Sequence, residues 1–189
     1  MDVSYVHIEC GNIVLKMKQT ISLDAISDGQ QFENLVADYF REMKDAKNII
    51  DVDVKPPSEG SDGGRDILVS FRFTDSIVSF ERRWVIQCKF WKKSVSPSVI
   101  ATTNIPTLIH QYNAHGYLLV CKNNVTSNLT KMFEELEKNC WMRYRYIIWN
   151  GEAFKTQLYT LRSEGPLIQK YFPDFYLFVK SQEWRIRRP

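Results

Sequence analysis

The chain has 189 residues, 44% apolar and 25% charged, enough for one domain with its own core and ordinary for a globular protein. A net charge of +3 is too small to name a partner by itself. No apolar run nears the ~20 residues of a membrane span, and the first residues, MDVSYVHIECG, lack the basic region and apolar core of a signal peptide.

Residues 3–21 read as two short strands around Glu9-Cys10-Gly11-Asn12, a predicted hairpin. An amphipathic helix follows. Phe32, Leu35, Val36, Tyr39, Phe40 and Met43 recur at i, i+3, i+4, i+7, i+8 and i+11 on one face, with Ser27 or Asp28 placed to cap its start. Asp51-Val52-Asp53-Val54 alternates as a strand that Pro56 and Pro57 end, and residues 58–65 read as a turn. Residues 66–73 alternate again, with Ile67, Val69, Phe71 and Phe73 on one face and Asp66, Leu68, Ser70 and Arg72 on the other. In the next strand, residues 84–91, Trp84, Ile86, Cys88 and Phe90 oppose Val85, Gln87, Lys89 and Trp91. Ser96-Pro97 opens a helical segment that Pro106 divides in two. GYLLVC, residues 116–121, is a continuous apolar strand suited to the centre of a sheet. A helix is predicted over 126–139, a strand over 145–149 and a helix from Asn150-Gly151 to about Leu161. The tail, residues 171–179, is rich in aromatics, and the last residues are basic.

Strands alternating with helices predict a layered α/β domain. Three consecutive strands predict an antiparallel meander that feeds a parallel crossover, hence a mixed central sheet. The organisation expected is an N-terminal β-hairpin extension over 1–26, a core over 27–162 and an aromatic and basic tail over 163–189 packed on it. The hairpin would dock a partner or a second copy, or simply extend the sheet.

One constellation carries chemistry. Gln87 and Lys89 are two apart on a strand, so both project from one face of an otherwise apolar segment. Consecutive strands are usually neighbours, which puts Asp66 beside them. A hard divalent cation such as Mg²⁺ or Mn²⁺ takes oxygen ligands and keeps several waters. Asp66, the Gln87 side chain and the backbone carbonyl of Cys88 can each offer an oxygen. Lys89 cannot ligate while protonated, but it can orient an attacking water or neutralise charge on a phosphate. This is equipment for hydrolysing a phosphodiester. Glu33 flanks the apolar face of the first helix and is a further acid for the site. Glu42 lies at the opposite flank, and helical geometry alone does not choose between them. Gly63 and Gly64 let the chain turn tightly before Asp66 and leave room for a phosphate backbone. Asp62 reads as a turn residue, and Arg65 either contacts phosphate or pairs with Asp62 or Glu59.

QFENLVADYF, SDGGRDILV and WVIQCKFW, with the helix after Ser96, GYLLVC, the VTSNL helix start and the IIWNG strand end, resemble the Mrr-like branch of the restriction-endonuclease-like nucleases, the PD-(D/E)xK superfamily. The resemblance runs from about residue 28 to 161. It implies an αβββαβ core and metal-dependent endonucleolytic cleavage of DNA, with a role in restriction or phage defence. The family's metal-binding acid falls on Asp66, its (D/E/Q)xK element on Gln87 and Lys89, and its helical acid on Glu33. Gln87 replaces the acid of the superfamily's best-known form, but QxK is the usual form in the Mrr-like branch. Two other readings stand beside this one. One is a non-catalytic module of the same fold that binds nucleic acid or assembles a complex. The other is a structure-specific nuclease such as a junction resolvase, which needs a symmetric dimer.

Basic residues cluster with aromatics at residues 89–93, 141–146 and 184–188. Lys92, Lys93, Arg143 and Arg145 are candidates for phosphate contacts, against the alternative of charged stems lying along strands. No sizeable extra domain reads base edges, so specificity is expected from a partner protein, from modified or unusual DNA, or from a regulatory step. Cys10, Cys88, Cys121 and Cys140 have no metal-knuckle spacing and read as reduced thiols of a cytoplasmic protein, with Cys88 in the core rather than a nucleophile. His7, His110 and His115 show no ligand spacing and read as structural or surface residues.

Overall fold

The computed structural model of the chain describes residues 5–10, 13–18, 20–45, 49–55, 64–75, 77–161 and 165–186. The predicted turn residues Gly11, Asn12, Glu59, Asp62 and Gly63, prolines 56 and 57, and the side chains of His7, Cys10 and residues 184–188 lie outside what is described. The chain divides into two compact units, residues 27–154 and residues 1–26 with 155–189.

In the smaller unit, β1 (Tyr5–Cys10) pairs antiparallel with β2 (Ile13–Lys18) as a two-stranded sheet of its own. The hairpin therefore does not extend the main sheet. This unit also holds α5 (Pro166–Tyr171) and α6 (Pro173–Ile186), which turn most of the predicted tail into helix. The Tyr159 hydroxyl accepts from the Ile21 backbone N–H at 2.8 Å and ties its two chain segments together.

The larger unit opens with α1 (Gly29–Glu42). Asp28 is the cap that forms. Its carboxylate accepts from Gln31 N at 2.8 Å, while Gln31 Oε1 reaches back to Ser27 N at 2.7 Å, a reciprocal arrangement that satisfies two free N–H groups. The stripe Phe32, Leu35, Val36, Tyr39 and Phe40 is buried as expected. After it come β3 (Ile49–Lys55), β4 (Ile67–Thr74), β5 (Ser79–Lys89), α2 (Ile105–Gln111), β6 (Gly116–Cys121), α3 (Ser127–Asn139), β7 (Arg145–Trp149) and α4 (Gly151–Leu158). Pro106 stands in the first turn of α2 behind the Asn104 cap, and a single 3₁₀ turn over Pro97–Ile100 precedes it.

The sheet order is β3-β4-β5-β6-β7. β3, β4 and β5 are antiparallel neighbours, and β5, β6 and β7 run parallel. This is the predicted mixed α/β architecture, with the αβββαβ order running from α1 to β6. β5 is the middle strand and β6 an interior one, buried at all six positions. On one face, the α1 rings meet the sheet and α4: Phe40 stacks on Trp149 at 5.9 Å, and Phe32 meets Phe154 edge-on at 5.9 Å. On the other, Leu68, Val85, Tyr117, Leu119 and Cys121 form a second core with Leu108 and Ile109 of α2 and Leu129 and Phe133 of α3. β4 is therefore buried on both faces, which is why Leu68 as well as Ile67 and Val69 is inaccessible.

Candidate active site

β4 and β5 part company where β4 begins. Among the described residues, the last backbone bond of the ladder on this side runs from Asp66 N to Ile86 O at 3.0 Å. One step further, Asp66 Oδ2 accepts from Cys88 N at 2.6 Å. The side chain takes the place of the carbonyl a longer β4 would have offered, which fixes one carboxylate oxygen and leaves Oδ1 for another partner. In a strand the N–H and C=O of one residue point to the same side. The Cys88 carbonyl therefore faces the β4 side as its N–H does, beyond Ile67↔Ile86, the last pair in the register. Lys89 faces its backbone the other way, and its carbonyl accepts from Lys122 N at 3.0 Å.

Glu33 joins this group from the second turn of α1. Burial pushes its carboxyl above the ordinary range, the charge of Asp66 adds to that, and Lys89 opposes it. Burial likewise raises the Asp66 carboxyl, against the Cys88 N–H bond and the charge of Lys89. Asp66, Glu33 and Lys89 thus lie close enough for their charges to act on one another. Glu42, nine residues further along α1, lies roughly 13 Å up the helix axis from Glu33.

Gln87 is 2% exposed and stands opposite Asp66 when the β4–β5 register is extended by one residue. Its amide is held at both ends. The Tyr117 hydroxyl donates to Oε1 at 2.6 Å, and Nε2 donates to Thr103 Oγ1 at 3.2 Å. Gly64 roofs this arrangement at φ +97°, and a Cβ built there would lie 2.6 Å from Thr103 Oγ1 and 2.8 Å from Gln87 Nε2. The space next to Gly64 belongs to the Gln87–Thr103 pair, not to a phosphate backbone. Arg65 is 7% exposed with its guanidinium over the Tyr112 ring at 4.6 Å, so burial takes it away from solvent phosphate. Tyr117 was the signal available in the sequence, because a phenol inside GYLLVC needs a partner when buried. Nothing in the sequence singled out Thr103.

The Cys88 thiol is buried. Burial, and then the neighbouring Asp66 and Glu33, push it well above the ordinary thiol range, consistent with a core residue. His115 is structural: its Nδ1 accepts from Arg83 N at 3.1 Å, and His110 packs edge-on against Tyr144. Lys92 and Lys93 are exposed just beyond the end of β5, at the Asp66 side. Arg143 and Arg145 are not brought there. Arg145 stands level with Gly116 and Trp84 in the parallel register, five residues and roughly 16 Å before Lys89, and its Nε meets Glu137 at 2.9 Å.

Among the described residues no three His, Cys, Asp or Glu side chains cluster as a metal site. The donors at the end of β5 are two carboxylates and a main-chain carbonyl. That set lacks sulfur and imidazole and fits a hard, largely hydrated divalent cation rather than zinc. No described helix is long and apolar enough to cross a membrane.

The profile of the restriction endonuclease family Mrr_cat matches residues 23–156, well over half of the chain. The chain belongs to this restriction endonuclease family. The match takes in α1, the whole five-stranded sheet and every residue of the site just described. Among solved structures, the fold is similar to the MspJI restriction endonuclease in complex with a 27-mer oligonucleotide, at TM-score 0.48 and 16% identity over 76% of this chain and 31% of that one. It is also similar to the DNA modification-dependent restriction endonuclease AspBHI, at TM-score 0.43 and 13% identity over 91% of this chain and 47% of that one. The chain spans less than half the length of either. No curated protein matches the sequence.

Proposed function

We propose that this member of the restriction endonuclease family is a Mg²⁺- or Mn²⁺-dependent endonuclease that hydrolyses DNA phosphodiester bonds, in restriction or phage defence. The observation that carries the reading is the Asp66 carboxylate, locked to Cys88 N at 2.6 Å and partly desolvated beside Glu33 and Lys89. Two carboxylates raised by burial, Glu33 further by the charge of Asp66, are costly to ionise together and are relieved by a cation.

Asp66 Oδ1, the Cys88 carbonyl and Glu33 would hold that cation, with Gln87 Oε1 as a further oxygen through the lone pair Tyr117 leaves free. When bound, a divalent cation polarises the phosphate and makes its water a better nucleophile. Lys89 donates hydrogen bonds to the attacking water and to the phosphate oxygens as negative charge grows there. The water oxygen forms the new bond to phosphorus, the ester P–O bond breaks, and the departing oxygen gains a proton. Tyr117 and Thr103 keep the Gln87 amide in one orientation, so the oxygen faces the same way in every turnover. Lys92 and Lys93 are proposed to contact the DNA backbone beside the site.

The test is cleavage of supercoiled plasmid and of single-stranded DNA with Mg²⁺ or Mn²⁺, comparing the parent with Asp66→Ala and Lys89→Ala. Metal-dependent cleavage by the parent alone is expected. Intact DNA binding without cleavage by the parent would favour the non-catalytic module. Cleavage that survives both substitutions would remove these residues from the site.

A further inference from the structure

Two loops leave the sheet at the Asp66 end, and they are braced to each other. Val95 pairs with Val125 in an isolated parallel bridge. Val95 N donates to Asn124 O at 2.9 Å, and Thr126 N donates to Val95 O at 2.9 Å. Asn123 Nδ2 donates to the Trp91 carbonyl at 2.6 Å. Phe90 is anchored inward, with its ring 6.1 Å from Phe32 and the Lys122 ammonium over it at 4.6 Å. The next residue is not anchored in this way. The side chain of Trp91 is 49% exposed on this fixed backbone, followed by the exposed Lys92 and Lys93. Only Phe90 separates Trp91 from Lys89, so their Cα atoms lie within about 7 Å of each other.

An indole held half in water costs free energy that core packing would recover, and here two ammonium groups flank it beside a phosphoryl-transfer site. Aromatic side chains on a rigid, basic surface stack on bases because every base has a π-face. Paired bases inside a duplex do not present that face. We infer that Trp91 is a base-stacking contact for single-stranded or locally unpaired DNA next to the cleaved phosphate, with Lys92 and Lys93 following the backbone. The inference rests on the nuclease reading of the site and deepens it by naming the form of DNA the site accepts.

The experiment measures binding without metal by the full chain carrying Asp66→Asn, so that cleavage plays no part. The probes are single-stranded DNA, a fully paired duplex, the same duplex with one unpaired 2-aminopurine, and single-stranded RNA of matching sequence. Tighter binding to the single strand and to the unpaired duplex is expected, with quenching of tryptophan and 2-aminopurine fluorescence. Adding Trp91→Ala should weaken those two complexes about tenfold and leave the paired duplex within about twofold. Trp91→Phe should restore most of the loss, and it serves as the readout if the alanine variant folds poorly. Unchanged affinity in Trp91→Ala, equal weakening on all four probes, or a preference for RNA would each overturn the inference. Failure of the parent to cleave any DNA would sink the nuclease reading without touching these binding results. Cleavage of paired and unpaired DNA at equal rates, insensitive to Trp91→Ala, would sink this inference alone.

Discussion

The Tyr117 hydroxyl donates a 2.6 Å hydrogen bond to Gln87 Oε1, between two side chains that are both essentially inaccessible to water. The pair joins β5 to β6 through the second core, and with Thr103 on Nε2 it fixes the orientation of the amide. Removing the hydroxyl leaves a buried carbonyl oxygen one partner short, which typically costs about 1–3 kcal/mol. Tyr117→Phe is therefore expected to lower stability by about that amount in urea unfolding. It should also weaken the apparent Mg²⁺ affinity in cleavage, raising the metal concentration for half-maximal rate. A variant less stable but unchanged in its metal dependence would reduce Tyr117 to a packing residue.

Gly64 makes a second, independent test of the same arrangement. Its φ of +97° is strained for any L-residue, and a methyl group there would press on both Thr103 Oγ1 and Gln87 Nε2. Gly64→Ala should cost at least about 1 kcal/mol through the backbone alone. It should also displace the Gln87 amide, so the loss of cleavage should exceed what unfolding accounts for at temperatures well below the transition. Thr103→Val keeps the shape and removes the acceptor. A smaller fall in rate is expected there, because Oε1 keeps its bond to Tyr117.

The placement of the candidate residues was legible in the sequence where it depended on period and order. Gln87 and Lys89 share a face because strands alternate, and Asp66 sits beside them because consecutive strands usually pair. The amide clamp was not legible, since it joins Gln87 to a tyrosine 30 residues away and to a threonine in an irregular turn. Residues 79–83 of β5 were missed for a different reason. Ser79, Glu81 and Arg82 are exposed, and that stretch is a strand because β4 pairs with it, not because it is buried. The aromatics of the tail name no element by themselves, and the helix that starts at Pro173 forms there. The pairing of the first 26 residues with residues 155–189 joins the two ends of the chain, and no local pattern announces it.

The pH dependence follows from the directions at Asp66 and Glu33. Both carboxyls are raised above their unfolded values, so the folded chain without metal holds these protons more tightly. Their contribution to stability is present at low pH and is lost as pH rises through the raised folded values. Metal needs the ionised forms, so affinity should move the other way and fall on acidification before ordinary carboxylates protonate. Calorimetric titration of Mg²⁺ or Mn²⁺ between pH 4 and 8, with Tm followed at each pH, should show Tm rising with added metal only at the upper end, in conditions on the order of those typical for such groups. Asp66→Asn should abolish the metal effect, and it should leave the metal-free Tm unchanged or higher because it removes a partly buried charge. A metal effect of the same size at pH 4 would contradict the carboxylate assignment.

Cys88 separates a main-chain role from a side-chain one. Its N–H holds Asp66 and its carbonyl faces the same side, while its thiol is buried and raised far from the thiolate form. Cys88→Ala keeps both backbone groups, so cleavage should stay within a few-fold of the parent, with a packing loss of about 1 kcal/mol. Cleavage by the parent should likewise resist iodoacetamide, since only a thiolate reacts readily. Lys89→Met is the contrasting change. It keeps the length of the side chain and removes the donor, and it should lower kcat by about 100-fold or more with little change in DNA binding. If Cys88→Ala proved as inactive as Lys89→Met while folding normally, the sulfur would have to enter the mechanism and the carbonyl would lose its assigned part.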